Sequence, residues 1–244
     1  MKKLMIVTIV LMVSSAAYAG QGTHWDYSGA EGPEHWGELN PEYTLCSEGK
    51  NQSPINLTSF IESDLKPINI HYQVSGNDIL NNGHTVQVNF APGSKISIDG
   101  HEFELKQYHF HAPGENLING KLYPMEAHLV HSDSNGHLAV IAVMFVEGKA
   151  NESIAKAWAH MPEKAGDKHR LFPSVSAEGI LPVNRDYYRY NGSLTTPPCS
   201  EGVRWFVMKN PVTASKSQIK KFAHVMHHPN NRPIQPVNAR PVLK

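Results

Sequence analysis

His101-Glu102-Phe103-Glu104-Leu105-Lys106-Gln107-Tyr108-His109-Phe110-His111 alternates polar with apolar side chains over most of its length. That pattern predicts a β-strand, where residues two apart face the same side. Phe103, Leu105, Gln107, His109 and His111 are therefore expected on one face. Residues 124–131 read as a second strand, with Glu126, His128 and Val130 on one face and His131 on the other. If the two strands are antiparallel neighbours, His128 comes opposite the His109/His111 pair. Three neutral imidazoles converging on one point make a catalytic zinc site with an open fourth position. A His-x-His motif alone is weak, because short motifs match by chance. Here Gln107 precedes His109 by two residues and Glu126 precedes His128 by two. Each can accept the second ring proton that a metal-bound histidine normally donates.

Working outward, residues 69–74, 85–90 and 95–98 also alternate, with Asn82-Gly83 and Asp99-Gly100 as turns. Residues 138–146 are continuously apolar and rich in valine, which suits a strand buried on both faces. Ile154, Ala157, Trp158 and Met161 fall at helical spacing after Asn151, a candidate N-cap, up to Pro162. Ile219, Phe222, Ala223 and Met226 repeat that spacing after Ser217. The fold class is mainly β (α+β), one domain with a few peripheral helices.

The chain opens with Met1-Lys2-Lys3, an apolar run from Leu4 to Val13, and Ala17-Tyr18-Ala19. This describes a secretory signal peptide, 1–19, cleaved after Ala19. The run is too short for a spanning helix, which needs ~20 apolar residues, and no later segment is long and apolar enough. Residues 20–244 then form one domain, and the expected location is periplasmic or secreted. The full chain has 22 basic and 22 acidic residues, and removing Lys2 and Lys3 leaves 20 against 22. That balance excludes a nucleic-acid binder built on a basic face. Only Cys46 and Cys199 are present, and in an oxidising compartment such a pair favours a disulfide. The bridge would close a loop of about 150 residues, for which chain entropy gives ~5 kcal/mol.

Several segments resemble the signature segments of α-carbonic anhydrases: Gln107-Tyr108-His109-Phe110-His111, Glu126-Ala127-His128-Leu129-Val130-His131 and Gly192-Ser193-Leu194-Thr195-Thr196-Pro197-Pro198. Gly32-Pro33-Glu34-His35-Trp36, Asn51-Gln52-Ser53-Pro54-Ile55-Asn56, Asn81-Asn82-Gly83-His84 and Arg232-Pro233-Ile234-Gln235-Pro236 extend the match in the family's order. The resemblance implies a central, mostly antiparallel sheet of about ten strands with zinc at the base of a conical cavity. It implies reversible hydration of carbon dioxide to bicarbonate by hydroxide generated at zinc. His109, His111 and His128 match the metal ligands, Thr195 the gatekeeper hydroxyl and Glu115 the glutamate that accepts its hydrogen bond. His84 matches the proton shuttle and Tyr27 the tyrosine that orders cavity water. Val130, Val140, Leu194 and Trp205 match the apolar wall that receives carbon dioxide, with Thr196 at the cavity edge. A disulfide at Cys46 and Cys199 also follows the bacterial members. One departure is Asn116, where the family often has histidine; asparagine keeps hydrogen-bonding capacity but not a titrating ring.

Three readings compete. The first is the carbonic anhydrase, with carbon dioxide or bicarbonate as small-molecule substrate, no nucleic acid partner, no membrane span in the mature chain, and either a monomer or a homodimer as its assembly. The second is a zinc hydrolase with Glu115 as general base. The third is a non-catalytic binding module, against which the intact histidine set speaks. The remaining histidines, among them His160, His169, His224, His227 and His228, read as solvated or helix-capping, and His131 as a core residue with a backbone partner.

Overall fold

The computed structural model describes residues 23–244, so the expected leader and its cleavage site lie outside the described residues. In chain order the strands are β1 (Asn56–Leu57), β2 (Asn69–His71), β3 (Gly76–Asn81), β4 (Val86–Asn89), β5 (Lys95–Ile98), β6 (His101–His111) and β7 (Leu117–Ile118). They continue as β8 (Met125–Ser132), β9 (Leu138–Glu147), β10 (Lys168–Val175), β11 (Tyr187–Ser193), β12 (Glu201–Met208) and β13 (Val212–Ala214). The helices are α1 (Trp36–Leu39), α2 (Leu45–Glu48), α3 (Glu152–Trp158) and α4 (Lys216–Met226). Eleven strands form one sheet in the spatial order β10-β3-β4-β6-β8-β9-β12-β11, with β5 and β2 extending from β6 and β13 beside β9. Within this sheet pairing is antiparallel except where β12 and β13 run parallel to β9; β1 and β7 form a separate parallel pair. Among the described residues no helix is long and apolar enough to cross a membrane.

The strands expected in the middle of the chain all form, and β6 does pair antiparallel with β8. One detail of β6 differs from the expectation. Leu105 lies opposite His131 while Gln107 lies opposite Val130, so Lys106 has no partner. This β-bulge shifts the alternation by one residue. Phe103 and Leu105 therefore join Tyr108 and Phe110 in the larger hydrophobic core, on the face opposite Gln107, His109 and His111. The adjacent polar pair Lys106-Gln107, where strict alternation would put an apolar residue, is the trace of the bulge in the sequence.

The larger core lies between that face and the two longer helices. Trp158 from α3 and Phe222 from α4 pack on Phe110, with ring centroids 5.6 and 5.9 Å away. Each such buried side chain contributes roughly 1.5–3 kcal/mol. Asn151 caps α3 by accepting from Ile154 N. α4 starts two residues earlier than expected, at Lys216, because Ser215 and Gln218 form a capping box. β9 is buried on both faces, as its continuous apolar run required. Cys46 and Cys199 form a disulfide across a separation of 153 residues.

Candidate metal centre

Strand register assembles the site. One row across the sheet reads Gln87, His109, His128, Ala142 and Val207; the next reads Asn89, Gln107, Val130, Val140, Trp205 and Tyr190. Directly paired residues share a face, so the β4/β6 side of this surface is polar and the β8/β9/β12 side apolar. The imidazoles stand on the boundary. Their ring centroids are 5.0 Å apart for His109 and His111, 5.3 Å for His109 and His128, and 4.6 Å for His111 and His128. One nitrogen from each ring lies within 4.8 Å of the other two.

The second nitrogen of every ring is committed elsewhere. His109 Nδ1 donates to Gln107 Oε1 at 2.9 Å, and His128 Nε2 to Glu126 Oε1 at 2.8 Å. His111 Nδ1 donates to the main-chain oxygen of Asn230 at 2.6 Å. His109 Nε2, His111 Nε2 and His128 Nδ1 are thus left as bare acceptors facing one another. His111 Nε2 is buried with no hydrogen-bond partner, a state that costs roughly 1–3 kcal/mol unless something binds it. Burial holds the His109 and His128 rings well below the ordinary histidine pKa, and His111 below it, so all three are neutral donors. Three neutral nitrogens with set tautomers that face one another fit a zinc ion.

The acceptors are themselves anchored. Glu126 Oε2 takes the main-chain N–H groups of Glu115 at 2.6 Å and Asn116 at 2.8 Å, while Asn116 Nδ2 donates to Glu126 Oε1 at 2.7 Å. Asn116 Oδ1 in turn accepts from Ile55 N at 3.2 Å and from the Tyr190 hydroxyl at 3.0 Å. The asparagine that departs from the family pattern therefore braces the ligand's carboxylate, a task that needs an amide and no charge. Glu115 Oε1 accepts from Arg232 N at 2.8 Å. That leaves Oε2, buried without another partner, for the adjacent Thr195 hydroxyl. Burial pushes the Glu115 carboxyl well above its ordinary pKa, against the pull of the Arg232 N–H and of Thr195.

The profile of the family described as eukaryotic-type carbonic anhydrase matches residues 31–244. The chain belongs to the α-carbonic anhydrases. A carbonic anhydrase of Pectobacterium carotovorum is 46% identical over 243 residues, covering 100% of both chains. One from Neisseria gonorrhoeae is 45% identical, covering 98% of this chain and 96% of its own. The solved α-carbonic anhydrase of Thermovibrio ammonificans, in complex with sulfanilamide, superposes with a TM-score of 0.90. It is 52% identical, covering 91% of this chain and 100% of that one. The protein is accordingly an enzyme of the carbonic anhydrase class, a family that is zinc-dependent and acts on carbon dioxide and bicarbonate.

The structure gives the other residues singled out from the sequence in this α-carbonic anhydrase the following neighbours. Val140 and Trp205 belong to a small apolar cluster, with Val130 and Leu194 packed against it, and the Trp205 ring stands 4.8 Å from His128. Thr195 and Thr196 sit on the loop that Cys199 closes, where Cys199 N bonds Thr196 O at 2.9 Å. Tyr27 is close enough to Glu115 that the carboxylate, after burial, helps push its hydroxyl pKa up. His84 lies flat on Trp25, with centroids 3.7 Å apart and planes 10° from parallel. His131 donates to or accepts from Tyr72 Oη at 2.7 Å and contacts Ala139 O at 3.2 Å, as a core residue should. His227 caps α4, while His228 sits 3.5 Å from Asp26 rather than in open solvent.

The sequence alone assigns no role to three contributors: Trp25, Asn230 and Arg232. Arg232 is 1% exposed and its guanidinium donates to Gln52 Oε1, Ser53 O and Cys46 O, each at 2.8 Å. It thereby ties the disulfide segment to the residue whose N–H holds Glu115. In the sequence Arg232 stands out only as the first residue of the Arg232-Pro233-Ile234-Gln235-Pro236 segment, with no role attached to it, and nothing separates Asn230 from Asn231.

Proposed function

We propose that this enzyme hydrates carbon dioxide reversibly at a zinc ion held by His109, His111 and His128. The supporting observation is the set of three ring nitrogens that face one another while every second nitrogen is spoken for. A zinc ion held there would supply Lewis acidity, which in carbonic anhydrases as a class brings the pKa of water down to about 7. Around it, the Thr195 hydroxyl donates a hydrogen bond to Glu115, whose ionised form a neighbouring dication would favour. The Thr195 oxygen then has only lone pairs to offer, so it would accept from the attacking oxygen and orient that oxygen towards the apolar wall. Val130, Val140, Leu194 and Trp205 hold a substrate without net dipole close to that oxygen. His84 carries the product proton outward; histidine's ordinary pKa of about 6.5 suits that transfer near neutrality, and burial lowers it here.

A hydrolase using Glu115 as general base is disfavoured by the committed carboxylate, which is 1% exposed and bonded to Arg232 N. Residues 1–19 act as a secretory leader in this reading and 20–244 as the exported domain, in keeping with the disulfide. Stopped-flow hydration measured before and after zinc removal and restoration tests the function. Activity should vanish and return with about one zinc per chain; hydration indifferent to zinc would overturn it.

A further inference from the structure

We infer that Asn230 is a positioning residue whose buried side chain ties the His84 turn to the strand end carrying His111, so that metal affinity and proton transfer are set together. Asn230 is 0% exposed. Its Nδ2 donates to His84 O at 3.1 Å and to Phe110 O at 2.9 Å, and its Oδ1 accepts from Ala112 N at 2.8 Å. The amide thus grips the main chain on both sides of His111, while Asn230 O takes the His111 Nδ1 proton. On the other side, His84 N is held by Asn82 Oδ1 at 2.9 Å. With both its N–H and its carbonyl bonded, the His84 backbone is a fixed pivot and only the ring is free to move. Thr85 Oγ1 adds a second tie to Phe110 O at 2.6 Å. A one-sided loss at Asn230 therefore shifts the His84 pivot relative to His111 without erasing the turn.

This inference rests on the reading of His84 as proton carrier and of the triad as a metal site. Asn230→Asp preserves shape and the acceptor for Ala112 N, but replaces the donor to His84 O and Phe110 O with an oxygen. Asn230→Ser removes the reach without adding charge, and serves if the aspartate variant does not fold. Two readouts are taken on each variant: the zinc dissociation constant by chelator competition, and hydration turnover across a buffer series with and without imidazole. Zinc binding is expected to weaken about 5-fold or more, the equivalent of one lost hydrogen bond. Turnover is expected to fall most in dilute buffer and to recover with imidazole. A lowered thermal midpoint with both readouts unchanged, or a change in only one of them, overturns the inference. His84→Ala is measured in parallel. If it shows no buffer-dependent loss, the shuttle reading fails and the coupling with it; if it does and the Asn230 variants do not, the coupling alone fails.

Discussion

Glu126→Gln exchanges one carboxylate oxygen for an amino group at a place where all four donors point inward. Oε2 accepts from Glu115 N and Asn116 N, so the glutamine must place its oxygen there and its NH2 where Oε1 stood. That NH2 then faces His128 Nε2 and Asn116 Nδ2, both donors today. Asn116 cannot turn its oxygen round without abandoning Ile55 N and the Tyr190 hydroxyl. The remaining relief is for His128 to move its proton to Nδ1, the nitrogen that faces the other two rings. A ring proton there competes directly with the metal. Loss of a hydrogen-bonded acceptor behind a ligand weakens metal binding about 10–100-fold, and the forced tautomer puts this variant at the upper end, about 2.7 kcal/mol. Chelator competition at fixed pH measures it, with circular dichroism confirming the fold. Zinc affinity within threefold of the parent would refute the tautomer argument.

Three further outcomes are expected. Cys46→Ser opens a loop of 153 residues; chain entropy assigns ~5 kcal/mol to such closure, so the unfolding midpoint should fall about 10–20 °C for a domain of this size. A shift within scan error would refute it. His84→Ala should slow hydration mainly in dilute buffer, with rescue by imidazole, whereas equal losses in all buffers would remove the shuttle role. Burial holds His131 neutral, with its pKa lowered from 6.5 to about 4. The unfolded chain takes up that proton first, so the parent loses stability relative to His131→Gln as pH falls from 7 to 4. The difference amounts to roughly 3 kcal/mol and is read from denaturant unfolding at each pH; a constant gap would count against it.

Residues two apart on a strand share a face because of backbone geometry alone, which is why His109, His111, His128, Gln107 and Glu126 could be read as one unit from the sequence. The same local rules supplied β2, β4, β5, β6, β8, β9 and both longer helices, but not β3, β11 or β12. They did not reveal β10, whose residues are mostly exposed and include Pro173, so that no alternation marks it. Nor did alternation reveal the bulge at Lys106, although the paired polar residues recorded it. Asn230 and Arg232 reach the site across 119 and 117 residues of chain. Their roles depend on where a coil segment comes to rest against β6 and the loop after it. Local periodicity is written in covalent geometry, but such contacts exist only once the packed sheet and α4 bring distant segments together, and only the tertiary structure could decide them.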